Sequence, residues 1–215
     1  IIAPWNYPYL TSVNSIIPSL AAGNSVILKH SAQTPLCAEQ LYESAKKTLP
    51  KSIFNYLHLN HKDSLKIVSD KRIGFVSFTG SVNAGYEVQK ASINKFISVA
   101  LELGGKDPAY VRHDADLEKS VENLVDGSFF NSGQSCCGIE RIYVDKKIYN
   151  NFLELFIDKT YEYKLGNPLN KDTNLGPVVK LSAAKFIEGQ INLAVKKGAK
   201  MMIDKSKFNY PNEHK

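Results

Sequence analysis

Up to about position 103 the chain alternates short β-branched runs with stretches whose apolar positions recur at helical spacing. The run SVILKH, Ser25 to His30, follows a Gly23-Asn24 turn and reads as a buried strand. Thr34-Pro35 then offers an N-cap followed by proline at the first helical position, which predicts a helix through Leu41 and Ala45 until Pro50 stops it. Ile53 to Leu59 reads as the next strand, Asp63 to Ser69 as a short helix, and Arg72 to Gly80 as a third strand ending in a glycine turn. A helix from about Asn83 to Ala91 and a strand from Phe96 to Leu103 complete the first half. Repeated strand-helix-strand units imply an α/β fold with a parallel sheet and right-handed crossovers.

Gly104-Gly105 breaks the pattern. Asp114 or Asp116 then caps a helix with apolar residues at Leu117, Val121, Leu124, Val125 and Phe129. Arg141 to Asp145 reads as a strand, Tyr149 to Tyr163 as a helix, Leu165 to Leu169 as a loop and Ser182 to Lys197 as a last helix. The tail from Lys205 to Lys215 has no periodicity, and neither internal repeat nor low-complexity tract is present. The expected domains are 1–103 and 104–215.

Composition narrows the class. With 215 residues, 43% hydrophobic and 22% charged, the chain is expected to bury a globular core. No apolar run approaches the roughly 20 residues that span a bilayer, and the opening IIAPW has no basic leader and is interrupted by Pro4, so neither a membrane protein nor a secretory precursor is expected. Beginning at Ile1, inside what reads as a strand, the chain reads as a piece of something larger. Its net charge of +6 comes from lysine pairs scattered among acids, which reads as solvated faces and not as a nucleic-acid footprint. Cys37, Cys136 and Cys137 have the spacing of neither a disulfide framework nor a zinc site, and a reducing cytoplasm is the simplest home.

Parallel sheets bind ligands beyond the carboxyl ends of their strands, so Lys29, Gly80-Ser81 and Glu102 are expected on one edge. Lys29 suits a ribose or phosphate, and Gly80-Ser81, opening a helix, suits a pyrophosphate, although no GxGxxG occurs. Cys136 and Cys137 are either small core residues, the usual fate of a free cysteine, or one is a nucleophile. Flanking Gly133 and Gly138, with polar Ser132, Gln134 and Ser135, favour the second. Asn6, in PWNYP, is either a turn residue or an oxyanion donor, and Glu102 either pairs with Lys106 or is a partly desolvated base. Tyr7, Phe129 and Phe130 either line an entry tunnel or pack the core.

Taken in order, PWNYP, SVILK followed by QTP, FTGS, LELGGK and FFNSGQSC resemble the NAD(P)-dependent aldehyde dehydrogenase superfamily. The spacings from Asn6 to Lys29 and from Glu102 to Cys136 agree with its pattern, and LGP at Leu175 to Pro177 suits its layout. The resemblance implies a Rossmann-like cofactor domain followed by part of an α/β catalytic domain. By position it makes Cys136 the nucleophile, Asn6 with the Cys136 backbone N–H the oxyanion hole, and Glu102 the activator of a hydrolytic water. It assigns Lys29 to the adenosine ribose, Ser81 with Gly80 to the pyrophosphate, Trp5 to the site wall near the cofactor and Gly104 to the nicotinamide. It implies NAD or NADP as cofactor, a small aldehyde as substrate, and homo-oligomers for full-length members.

The sequence also departs from the family pattern. Ala32 stands where NAD-preferring members commonly carry a glutamate, which removes a repulsion against a 2′-phosphate and leaves NADP acceptable. The segment from Leu49 to Ile73 is short and lacks the usual glycine pair, and no E-x-F-G-P follows Cys136. Other classes compete with the oxidative one. A CoA-acylating dehydrogenase would not need Glu102, a thiol hydrolase would need a histidine that none of the five histidines is placed to be, and a truncated remnant would bind cofactor or partner without turnover.

Overall fold

The computed structural model of the chain describes residues 1–208, so positions 209–215 of the expected tail lie outside the described residues. The chain forms two compact units, Ile1–Gly104 and a second beginning at Gly105.

In the first unit β1 (Val26–Leu28) pairs in parallel with β2 (Phe54–Tyr56), and β3 (Phe75–Thr79) with β4 (Ser98–Glu102). The opening residues join these pairs. Ile2 bridges in parallel to Lys29 on one side and to Phe78 on the other, so the order across the sheet is β2, β1, Ile2, β3, β4. The joint is hydrogen-bonded on both sides: Ala3 N–H donates to Lys29 O (3.1 Å) and Lys29 N–H to Ile1 O (2.8 Å), while Thr79 N–H donates to Ile2 O (3.0 Å). The parallel sheet expected from the alternating pattern is therefore present.

Four helices follow the strand segments: α1 (Pro8–Ala21), α2 (Leu36–Ala45), α3 (His61–Ser69) and α4 (Val82–Ala91). The first was not anticipated. Its sequence is rich in Ser, Thr and β-branched residues and carries Pro18, all of which argue against a helix interior. The hydroxyls resolve the conflict locally: Thr11, Ser12 and Ser19 donate to the carbonyls of Tyr7, Pro8 and Ser15, one turn back. Ser12 and Ile16 face the core, and the helix ends in a Schellman motif, with Gly23 at φ +84°, Asn24 N–H on Ser19 O and Gly23 N–H on Leu20 O.

One expected cap is corrected. Thr34 does not cap α2, which has no side-chain cap; its hydroxyl is bonded instead to the His30 ring at 3.1 Å, and Pro35 already has helical dihedrals. Asn60 and Ser81 do cap α3 and α4, accepting from Asp63 N–H and Ala84 N–H. One core cluster holds Ala3, Ile16, Val26, Leu28, Ala38 and Phe54, and a second holds Val68, Val76, Phe78 and Val88. Leu28 is fully buried, worth about 1.5–3 kcal/mol of transfer free energy.

The second unit pairs β5 (Asp107–Val111) in parallel with β6 (Ile139–Val144) and covers them with α5 (Leu117–Phe129) and α6 (Tyr149–Tyr161) around Val111, Val121, Val125 and Phe152. Asp116, not Asp114, is the N-cap of α5. β5 is an unanticipated strand, because Pro108 cannot donate to a ladder and so argues against one. α7 (Leu181–Lys196) is amphipathic yet has no buried residue. Among the described residues no helix is long and apolar enough to cross a membrane.

Candidate active site

The parallel sheet of the first unit brings the proposed cofactor and oxyanion residues to one edge. Trp5 and Asn6 leave the sheet just after Ala3, level with Lys29 at the end of β1. Gly80 and Ser81 follow β3, and Glu102 ends β4 directly opposite Thr79. Gly80 N–H donates to Glu102 O at 3.0 Å, so the glycine turn and the carboxylate-bearing strand end are locked together. Gly104 lies two residues further on.

The electrostatics of that edge favour an anion. Lys29 is half-buried, and desolvation lowers its pKa, so the ammonium gains from any negative group that replaces its lost water. Ser81 sits at the N-terminus of α4, where the macrodipole adds partial positive charge; its oxygen accepts from Ala84 N–H at 3.3 Å, and its own proton remains available to donate. Glu102 is exposed, so the partial burial anticipated for a tuned base is not provided by this strand, and the anticipated partner Lys106 pairs with Glu140 instead.

Cys136 belongs to the second unit. Both Cys136 and Cys137 are exposed, which removes the core reading, whereas Phe129 packs on Phe156 and Tyr163 and takes it. Cys136 follows an unusual turn: Asn131, Ser132 and Gly133 have successive φ values of +52°, +59° and +71°. Two side chains fix it from outside, since Ser132 Oγ donates to Gly176 O at 2.6 Å and Val179 N–H donates to Gln134 Oε1 at 2.6 Å. Gln134 Nε2 in turn donates to Asn131 O at 3.0 Å. Gly105 presses on the same loop: a Cβ there would lie 2.7 Å from the carbonyl oxygen of Cys136. Gly105 and the Gln134 amide were not singled out as site residues from sequence, because their roles depend on contacts between distant positions.

A parallel α/β sheet thus carries a lysine, a helix N-terminus and an amide at its carboxyl edge, where such sheets bind ligands, and the second unit presents an exposed cysteine. The model of the aldehyde dehydrogenase family matches residues 1–214, and the chain belongs to that family. It is 33% identical over its whole length to the D-glyceraldehyde dehydrogenase (NADP(+)) of Picrophilus torridus, of which it covers 43%. It is 35% identical to the lactaldehyde dehydrogenase of Escherichia coli, with 93% of this chain and 42% of that one aligned. Among solved structures, a 3,6-anhydro-L-galactose dehydrogenase complexed with NADP superposes with a TM-score of 0.92 at 32% identity, covering all of this chain and 46% of that one. The NAD+ complex of Staphylococcus aureus betaine aldehyde dehydrogenase gives 0.89 at 34% identity, covering 94% of this chain and 40% of that one. The fold is thus that of an aldehyde dehydrogenase, and the chain spans less than half the length of the curated relatives it matches.

Proposed function

We propose that the chain carries the catalytic machinery of an NAD(P)-dependent aldehyde dehydrogenase, which oxidises an aldehyde to a carboxylic acid, with 1–103 binding the cofactor and supplying Asn6 and Glu102, and 104–215 supplying the nucleophile. The observation that supports this most directly is the exposed Cys136 on a turn held by Ser132 and Gln134, in a chain whose sheet edge carries Asn6, Lys29, Ser81 and Glu102.

In this reading the Cys136 thiolate attacks the aldehyde carbon, forming a C–S bond and an oxyanion. Asn6 and the Cys136 backbone N–H donate hydrogen bonds to that oxyanion as its charge develops. Bound NAD(P)+ would supply the acceptor for the hydride that leaves the adduct. The product on the protein is a thioester. Glu102 takes a proton from water, the hydroxide attacks the acyl carbon, and cleavage of the C–S bond returns the thiol and releases the carboxylic acid. Lys29 would hold the adenosine ribose, Gly80 and Ser81 the pyrophosphate, Trp5 the wall near the cofactor and Gly104 the nicotinamide. Ala32 presents no carboxylate against a 2′-phosphate, which leaves both NAD and NADP acceptable.

The test follows reduced cofactor by absorbance with a panel of small aldehydes, comparing the chain with C136A, C137A and C37A. Loss of turnover in C136A alone is expected; turnover surviving in C136A refutes the assignment. A second reading, cofactor binding without turnover, draws support from the chain's coverage of less than half its relatives. It predicts a cofactor-dependent fluorescence change with no reduced cofactor formed by any of the four proteins.

A further inference from the structure

His30 is almost fully buried, 3% exposed, immediately after Lys29, and both ring nitrogens are engaged. Nε2 lies 3.0 Å from the carbonyl oxygen of Pro8, and Nδ1 lies 3.1 Å from Thr34 Oγ1. A carbonyl can only accept, so Nε2 carries the proton and donates. Pro8 is the first residue of α1, two positions beyond Asn6.

This contact closes a span. Before the loop, the backbone of Ala3 is bonded to Lys29 O; after it, the carbonyl of Pro8 is bonded to the His30 ring. The stretch Pro4-Trp5-Asn6-Tyr7 is therefore anchored at each end to one of two consecutive residues of the same strand end. The first anchor is backbone and survives any side-chain change. The second needs a donor at the Nε2 position; Ser12 Oγ donates to the same carbonyl at 2.7 Å from within α1.

We propose that His30 is a positioning residue that fixes the Trp5–Asn6 loop and so aims the Asn6 amide at the oxyanion; the inference rests on the dehydrogenase reading for its catalytic part only. His30 touches no reacting atom in this scheme. It acts through Asn6, and it leaves the Lys29 backbone pairing unchanged. Its removal is therefore expected to lower kcat while changing the KM for cofactor little.

Two amide substitutions separate donor from bulk. In H30Q the side-chain nitrogen reaches the place of Nε2 and keeps the bond to Pro8 O; in H30N the shorter amide reaches only toward Thr34. Trp5 is the single tryptophan of the chain, so acrylamide quenching of its fluorescence reads the loop directly, whether or not an aldehyde is turned over. H30N is expected to raise the quenching constant by about twofold, with H30Q close to the parent, both having a parent-like far-UV spectrum. With aldehyde, H30N is expected to lower kcat by roughly tenfold in the parent and by nothing further in N6A, because the two changes act through one group. Unchanged quenching in H30N, or a tenfold loss that persists in the N6A background, overturns the proposal. An inactive parent refutes the dehydrogenase reading alone, and the quenching comparison still decides the clamp.

Discussion

Adjacent Gly104 and Gly105 are predicted to respond oppositely to a single added methyl. At Gly105 the new Cβ would lie 2.7 Å from the Cys136 carbonyl oxygen and 2.5 Å from Asp107 Oδ1; at Gly104 no described atom lies within 4 Å of it. The Asp107 carboxylate can rotate away, but the Cys136 carbonyl is main chain, and its loop is held by Ser132, Gln134 and the contact of Gly138 N–H with Ser135 O. Ordinary carbon–oxygen contacts need several tenths of an ångström more, so in G105A the cysteine segment must shift by about 0.5 Å. Overpacking of this kind costs about 1–3 kcal/mol, too little to unfold a domain, whereas a displacement approaching 1 Å at a reacting group can cost about 10²-fold. The assay is iodoacetamide labelling at neutral pH, mapped by mass spectrometry, with Cys37 and Cys137 as internal references. G105A is expected to change the Cys136 labelling rate by about tenfold and G104A to leave it alone. Parent-like labelling in G105A, in a protein that melts within a few degrees of the parent, would refute the idea that Gly105 sets the position of the Cys136 segment.

Asn6→Ala would remove the proposed oxyanion donor, and kcat for aldehyde oxidation is expected to fall by about 10²–10³, measured under saturating cofactor. Leu28→Ala empties a fully buried site between β1 and its helices; a loss of about 2–5 kcal/mol is expected in urea melts followed by circular dichroism. The hydrogen bonds from Arg72 hold the Asp70 carboxyl well below its ordinary 3.8. Because the folded value is the lower one, this contribution is fully present above the unfolded pKa and is lost as pH falls through the folded one. D70N should therefore flatten the decline of melting temperature between about pH 4 and pH 2, and an unchanged slope would remove Asp70 from the account.

Where periodicity and chain punctuation agreed, the fold was legible: β1 to β4 and α3 to α7 all stand close to their expected places. It was illegible where a local rule was overruled by contacts elsewhere. The hydroxyls of Thr11, Ser12 and Ser19 satisfy carbonyls inside α1 and make a helix of a turn-like composition, and Pro108 sits in a strand whose other residues pair with β6. Thr34 reads as a cap until its hydroxyl is found on His30, a partner that no propensity includes. The site followed the same division. Residue types on the sheet edge could be read from motifs, but the Gly105 contact with Cys136, the Gln134 bond to Val179 and the His30 anchor join positions that only folding brings together.

The Ile2 joint has a dynamic consequence. Among the described residues, a stretch of three is the sole ladder between β1 and β3, and its partners lie far along the chain, at Lys29 and Phe78. If those few hydrogen bonds open, the sheet parts into β2–β1 and β3–β4, and Lys29 separates from Ser81 and Glu102 while each half keeps its own core cluster. Backbone amides of Ile2, Ala3, Lys29 and Thr79 should then exchange with deuterium as one cooperative set, below the protection of Phe78 and Leu28 within their strands. Heat would silence such an edge through this subglobal opening, well before circular dichroism registers the loss of a helix.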